Sequence, residues 1–325
     1  MNLAPWLADA WGTLAGALAA GRLHHGLLLA APAGFGKRAL ADAFAAAALC
    51  TQRRADGHAC ASCRSCRLVA AGSHPDLVRV GFELRDDGRP RTEITIDQMR
   101  ALSQRLAMAS QFGGLQIALI DPADRLNASA ANALLKTLEE PAAATLLVLV
   151  ADEPARLPAT IRSRCQRIDV RAPAREEALA WLRTHAVDAA RAAAALEASL
   201  GNPGFALAWA AGEDDALALR TACADDLAAL ARGRRPAAEV ADRWAADRPE
   251  LRLWFAAALA RDEARRLAGG AAGALGLTRR DEIPKLAAWF GHANRARGLL
   301  ATTVRAELVL LDLLRAWPAA MRGAG

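Results

Sequence analysis

Five short apolar runs punctuate the first half of the chain: 26–30, 76–80, 115–120, 145–150 and 167–170. The segments between them repeat apolar residues at helical spacing. Apolar runs of four to six residues alternating with helical patterns predict a parallel sheet covered by helices on both faces. After Arg171-Ala172-Pro173 the strand signal stops. Residues 174–200 read as two helices closed by the turn cluster Gly201-Asn202-Pro203-Gly204, and everything from Phe205 onward is helical in period. Breaks are expected at 233–236, 247–249 and 269–276. Five of the eight tryptophans (Trp209, Trp244, Trp254, Trp289 and Trp317) fall in this last part, where they are expected to anchor a helical core.

The first strand runs into Ala31-Pro32-Ala33-Gly34-Phe35-Gly36-Lys37-Arg38, and a helix is expected from Ala39 to Leu49. This strand–loop–helix has the outline of a phosphate-binding loop: Gly34, Gly36 and Lys37 match. Ala31 stands where the first glycine belongs, and Arg38 where a Ser or Thr would ligate Mg²⁺. An arginine cannot ligate a cation, and its charge competes with Mg²⁺ for the same oxygens. A plain turn built with glycine is the competing reading. Only Lys37, Lys136 and Lys285 are lysines among 41 basic residues, so a lysine at this one position favours the phosphate-loop ancestry.

Cys50, Cys60, Cys63 and Cys66 form a C-x9-C-x2-C-x2-C array just after that helix. Four thiolates at this spacing satisfy a closed, tetrahedral, structural zinc site; an iron–sulfur cluster takes the same four ligands and stays open as the alternative. The segment is too polar for unpaired core cysteines. His58 and His74 are read as bystanders, and Cys165 and Cys223 as ordinary buried thiols.

A chain of 325 residues with 54% apolar content can bury a sizeable core and divide into two or three domains. Net charge is +6 and the pI about 9.4, weak evidence for a nucleic-acid partner over this length. The first ten residues carry no basic leader, and no apolar stretch reaches the roughly 20 residues of a membrane span. The expectation is a soluble, cytoplasmic protein.

Three further positions bear on nucleotide chemistry. Asp121 ends the third run, where an ATPase would hold Mg²⁺ through water, but Pro122 follows where a glutamate would polarise the attacking water. Asp152 ends the fourth run, where a Thr or Asn would sense the γ-phosphate; an aspartate is expected to repel it. Gly204 stands where a lid arginine is expected. Together with Arg38, these departures predict a non-hydrolysing chain. The helix Ala131-Asn132-Ala133-Leu134-Leu135-Lys136-Thr137-Leu138-Glu139-Glu140-Pro141, capped by Asn127 or Ser129, and the motif Ser163-Arg164-Cys165 complete the pattern.

Pro5-Trp6-Leu7, His24-His25, the cysteine array, the degenerate loop, the Leu-Glu-Glu-Pro helix, Ser-Arg-Cys and a helical C-terminal third closely resemble the delta-prime subunits of bacterial DNA polymerase III clamp loaders. The resemblance covers essentially the whole chain. It implies a RecA-like AAA+ domain over 1–168 with an inserted zinc module (50–66), a small helical lid over 169–205 and an all-helical collar over 206–325. It also implies a five-subunit loader with tau/gamma and delta partners, a sliding clamp and primed DNA. In that assembly this chain is the stator: Arg164 is an arginine finger acting in trans, zinc is structural, ATP is not bound, and the loop and Asp121 are vestigial. An ATP-hydrolysing subunit of the tau/gamma class and a stand-alone zinc protein that binds DNA are the competing readings.

Overall fold

The computed structural model describes residues 3–85, 87–185, 187–270, 275, 280–300 and 304–321. These divide into two compact units, one of residues 3–181 with 202–204, the other of 182–201 with the described residues from 205 onward.

The first unit is built on five parallel strands, β1 (Gly26–Ala30), β2 (Leu77–Val80), β3 (Gln116–Ile120), β4 (Thr145–Ala151) and β5 (Gln166–Asp169), in the order β2-β3-β4-β1-β5. β1, β3 and β4 are buried along their whole length, so both faces must be covered, and alternate residues feed two separate cores. Leu27, Leu29, Ile117, Leu119, Leu146, Val148 and Val150 pack against α1 (Ala8–Ala19) and α2 (Lys37–Leu49), through Trp11, Leu14, Leu40 and Phe44. Leu28, Ala30, Ala118, Ile120, Leu147 and Leu149 face the opposite way. They meet α4 (Ile96–Leu106), α5 (Ala128–Glu139) and α6 (Ala159–Arg162), which follow the short α3 (Arg64–Ala70). Each fully buried leucine in these layers stabilises by about 1.5–3 kcal/mol. This is the RecA-like AAA+ arrangement expected from the sequence.

Helix ends follow local chemistry. Thr95 and Gln98 form a capping box at the start of α4, and the Asn127 side chain accepts from Ala130 N to start α5, as expected for one of the two named cap candidates. The second strand starts one residue later than the apolar run suggests. Asp76 turns inward, and its carboxylate accepts from Gln111 N (2.8 Å), Phe112 N (2.9 Å) and the Ser110 hydroxyl (3.0 Å), tying the loop before β3 to the start of β2.

α7 (Arg175–Thr184) leads from the first unit into the second, which contains α8 (Ala189–Ala198), most of α9 (Pro203–Ala211), α10 (Ala216–Ala231), α11 (Ala237–Ala246), α12 (Pro249–Ala268), α13 (Ile283–Leu300) and α14 (Ala306–Met321). The breaks at 233–236 and 247–249 fall between helices as expected; most of the 269–276 break lies outside the described residues. Trp244, Trp289 and Trp317 are buried with their indole N–H groups satisfied by Asp226 (2.8 Å), Leu313 O (3.0 Å) and Leu227 O (2.8 Å). Trp289 and Trp317 meet edge to face at 4.6 Å. Trp254 is less buried and carries the Arg297 guanidinium over its ring at 4.8 Å. Among the described residues no helix is long and apolar enough to cross a membrane.

Burial alone would raise the Asp76 pKa, yet the Gln111 and Phe112 amides and the Ser110 hydroxyl outweigh it and hold the carboxyl below its ordinary value of 3.8. A depressed folded-state pKa contributes stability that is present above 3.8 and lost as pH falls through the folded value. Asp76→Asn is therefore expected to cost about 1–2 kcal/mol at neutral pH, with the gap to wild type narrowing on acidification. Urea denaturation of both proteins at pH 7 and at acid pH checks this; a gap that widens at acid pH contradicts it.

Candidate functional site: a self-neutralised phosphate loop and a four-thiol cluster

Gly34 and Gly36 take positive φ (84° and 86°), the left-handed conformation that glycine tolerates, and carry the chain from β1 into α2. The helix opens at Lys37 and not at Ala39, so both basic residues of the loop sit in its first turn. Lys37 is 1% exposed. Its ammonium donates to Pro32 O (3.2 Å) and touches the Asp152 carboxylate directly. Arg38 engages the same carboxylate with two parallel bonds (Nη1 to Oδ1 3.1 Å, Nη2 to Oδ2 3.0 Å) and donates from Nε to Asp121 Oδ2 at 2.8 Å. Asp121 follows the C-terminal end of β3, Asp152 that of β4, and the loop follows β1. The parallel register thus brings two cations and two carboxylates together at one end of the sheet.

The charges in this set tune one another. Burial pulls the Lys37 pKa down against the attraction of Asp152. At Asp152 burial works the other way, but hydrogen bonds from Arg38 and Lys37 win and its pKa falls. Burial also opposes the charge on Arg38, and the bonds to Asp152 and Asp121 raise its pKa regardless. Asp121 is pushed up, chiefly by burial, despite Arg38; its Oδ1 is buried without a hydrogen-bond partner.

Asp152 therefore has a role that the sequence did not suggest. It was expected only to repel a phosphate; it neutralises the loop. A triphosphate placed here must displace Asp152 from both cations and then face two freed carboxylates. Each unit pair of like charges at 4 Å costs about 4 kcal/mol at an effective dielectric of 20. Asp124 supports the arrangement by accepting from Asp152 N (3.2 Å) and Glu153 N (3.1 Å), holding the end of β4 in place.

Backbone contacts close over the same loop. Asn202 Nδ2 donates to Ala33 O (2.7 Å), Gly204 N to Gly34 O (3.0 Å), and Trp6 Nε1 to Phe35 O (2.9 Å). A Cβ on Gly204 would lie 2.5 Å from Gly34 O and 2.7 Å from Gly34 Cα. Gly204 is thus more than a missing lid arginine; the close approach admits no side chain.

Arg164 sits at the other end of the sheet. It follows α6 and precedes β5, and its backbone carbonyl lies beside Gly26, where β1 begins. β1, five residues at about 3.3 Å each, separates it from its own loop. Its guanidinium pairs with Glu139 at 2.8 Å and donates to Thr160 O at 3.1 Å. With both side chains well exposed, the ion pair contributes about 1 kcal/mol at most.

Cys50, Cys60, Cys63 and Cys66 converge so that all four sulfurs lie within 4.8 Å of one another. The Cys50–Cys63 and Cys60–Cys66 separations are both 3.9 Å. A tetrahedral ion with metal–sulfur bonds of about 2.3 Å sets its ligands about 3.8 Å apart, so the cluster fits a closed four-thiolate site. Backbone amides donate into it: Cys63 N to Cys60 Sγ (3.3 Å), Cys66 N to Cys63 Sγ (3.4 Å), and both Gln52 N and Cys60 N to Cys50 Sγ (3.4 Å). The Cys66 amide is the chief reason that the Cys63 pKa falls to about 5; burial pushes Cys66 up to about 12. His58 stacks on Trp11 (3.9 Å) and His74 bonds the Ser65 hydroxyl (2.7 Å), so neither belongs to the ligand set. Cys223 is buried as expected, and Cys165 is half-buried.

Sequence reasoning missed Asp124, Asn202 and the purpose of Asp152. The available signal was charge bookkeeping: two basic residues without a ligand and two acidic ones at neighbouring strand ends.

Two outcomes follow from this geometry. The purified chain is expected to hold one metal ion, lost in Cys63→Ser, with affinity rising as pH increases because bound protons, above all that of Cys66, must leave. Metal analysis and chelator competition at pH 6 and pH 8 check it; equal metal content in the variant contradicts it. Lys37→Met is expected to leave Asp152 bidentately held by Arg38 and the fold intact, whereas Asp152→Ala strips the buried Lys37 of its counter-charge, leaves Arg38 only Asp121, and lowers the thermal midpoint far more. Thermal unfolding of the two variants side by side decides this.

Residues 6–174 match the family model described as DNA polymerase III, delta subunit, just over half of the chain. A DNA polymerase III subunit delta' from Pseudomonas aeruginosa is 41% identical over 181 residues, 56% of this chain and 52% of that protein. The subunit delta' of Escherichia coli K12 is 38% identical over 216 residues, 66% of this chain and 63% of that one. A DNA polymerase III subunit tau from Bacillus subtilis is 32% identical over 157 residues, 48% and 26% respectively. The match thus spans about half to just under two thirds of the delta' relatives' length. The chain belongs to the DNA polymerase III delta-subunit family, and its relatives include the delta' subunits.

Proposed function

We propose that this chain is the non-hydrolysing stator of a clamp loader, a hetero-pentamer with tau/gamma and delta subunits that loads a sliding clamp onto primed DNA. The observation that carries this reading is the closed ionic set of Lys37, Arg38, Asp121 and Asp152. The groups that would bind Mg²⁺ and phosphate are spent on one another. In this reading residues 1–168 are the AAA+ part, 169–205 the lid and 206–325 the collar that joins the ring, in a cytoplasmic assembly. The ion held by Cys50, Cys60, Cys63 and Cys66 is zinc; it closes the 50–66 loop and, with four protein ligands, leaves no position to activate water.

Arg164 is the residue given to a partner. Separated from its own loop by the length of β1, it serves a neighbour's triphosphate across a subunit boundary. This asks it to release Glu139 and Thr160 O, both bonds made by an exposed guanidinium, so the release is cheap. A guanidinium fork engages phosphate oxygens bidentately; an arginine finger of this kind is worth about 10³–10⁵ in rate in GTPases.

In a reconstituted loader, Arg164→Ala is expected to assemble and keep its metal but to lower DNA- and clamp-stimulated ATP hydrolysis several-fold. The loss is partial because other sites keep their own fingers, and Arg164→Lys does not rescue it. Wild-type hydrolysis and loading rates in that complex would leave this chain as scaffold alone. Calorimetry of the isolated chain with Mg-ATP tests the other half of the reading. Micromolar binding abolished by Lys37→Met would instead make the chain an ATPase of the tau/gamma class.

A further inference from the structure

Beside the neutralised loop lies an open cavity of about 580 Å³, lined by Arg38, Phe82, Arg91, Thr92, Pro122 and Arg125 among others. One wall is a hairpin after β2. Leu84 and Pro90 pair in antiparallel fashion, Arg85 N donates to Arg89 O and Arg91 N to Glu83 O, each at 2.7 Å. The hairpin base is fixed where Gln98 Nε2 donates to Gly81 O (2.8 Å). This wall presents Phe82, 45% exposed and open to contact from the cavity. The opposite wall is the 3-10 turn Ala123–Arg125, pinned through its backbone by the Ile94 N to Arg125 O bond (2.8 Å).

The charge balance of the cavity is uneven. Its two carboxylates, Asp121 and Asp152, are answered by Arg38 and Lys37. Arg91 and Arg125 remain, and among the described residues neither guanidinium has a hydrogen-bond or ion-pair partner. Two uncommitted guanidinium groups on separate, fixed segments flank an exposed aromatic ring. Base stacking on an aromatic face with phosphates held by arginine is how single strands are bound without sequence preference. A duplex would leave the ring nothing to stack on, since its bases are already stacked on one another.

We propose that this cavity is a binding site for single-stranded nucleic acid, in which Phe82 stacks on a base and Arg91 and Arg125 hold the flanking phosphates. The site adjoins the phosphate loop and shares Arg38, Asp121 and Asp152 with it, but the groups proposed to bind, Phe82, Arg91 and Arg125, lie outside that ionic set, and the proposal stands whether or not the chain works in a clamp loader.

The test is fluorescence anisotropy of the full, metal-loaded chain with a labelled oligothymidylate of about a dozen bases at low salt. Phe82→Ala and Phe82→Leu are each expected to weaken binding roughly tenfold, the leucine variant keeping the apolar bulk while losing the stack. Arg91→Ala combined with Arg125→Ala is expected to reduce the slope of log K against log salt by about 1.4, the value for two single-strand phosphate contacts. All three substituted positions lie on the cavity wall, so metal content and thermal midpoint should stay at wild-type values. Undiminished binding in these variants, or none by wild type up to about millimolar concentration, overturns the proposal. Displacement by tripolyphosphate, by a glutamate-rich peptide or by a duplex of equal length as readily as by the unlabelled single strand also overturns it, because each would show a site that does not require an unstacked base.

Discussion

The Asp152 carboxylate is the contact on which the character of this protein turns. A lysine buried to 1% exposure needs a counter-charge, because an isolated ammonium in a low-dielectric setting is strongly unfavourable. In a nucleotide-binding loop that counter-charge arrives as a phosphate, so the empty loop keeps its lysine available to solvent or ligand. Here it is built into the end of β4, one strand away, and Arg38 completes the set by bridging to Asp121. The loop keeps the shape of a phosphate site because Gly34 and Gly36 still turn the chain, but its electrostatics are those of a closed salt bridge. Arg38 suits this task better than lysine would: its planar fork spans both oxygens of Asp152 while Nε reaches a second carboxylate.

The four-thiol cluster is a second, independent constraint. The chain between Cys50 and Cys60 is polar and has little apolar surface of its own with which to fold. Its order comes from amide-to-sulfur bonds and from packing on α1, where Trp11 donates to Asp56 O (3.2 Å) and stacks on His58. A metal ion bound there would substitute for a core that the segment is too short and too polar to build. An ion held there would also fix the C-terminal end of α2, capped by Cys50, the same helix whose first turn carries Lys37 and Arg38.

Much of this was legible in the chain itself, for identifiable reasons. β1, β3 and β4 are buried on both faces, so they read as unbroken apolar runs; the thiol spacing and the Asn127 cap are local patterns that need no tertiary knowledge. What escaped was contact between residues far apart. Nothing near Asp152 in sequence says that Lys37 and Arg38 lie one strand away, and Asp124 supports it through backbone amides that any residue would supply. Gly204 could be recognised as a missing arginine but not as a glycine required by the approach of Gly34. The 82–91 hairpin escaped for a different reason. Its strands are two or three residues long, mixed in polarity and interrupted by Pro90, so no period of two could emerge.

A ligand shifts a conformational equilibrium only by its difference in affinity between the two states. A loop that has satisfied its own charges offers a triphosphate no such difference to exploit. Its backbone carbonyls at Ala33, Gly34 and Phe35 are likewise engaged by Asn202, Gly204 and Trp6. In the proposed stator reading, the first unit would hold one arrangement whatever nucleotide is in solution. In the same reading Arg164, on the sheet rim, would answer to a neighbour's nucleotide. Its exposed, weakly held pair with Glu139 gives it the freedom to do so without disturbing the sheet behind it.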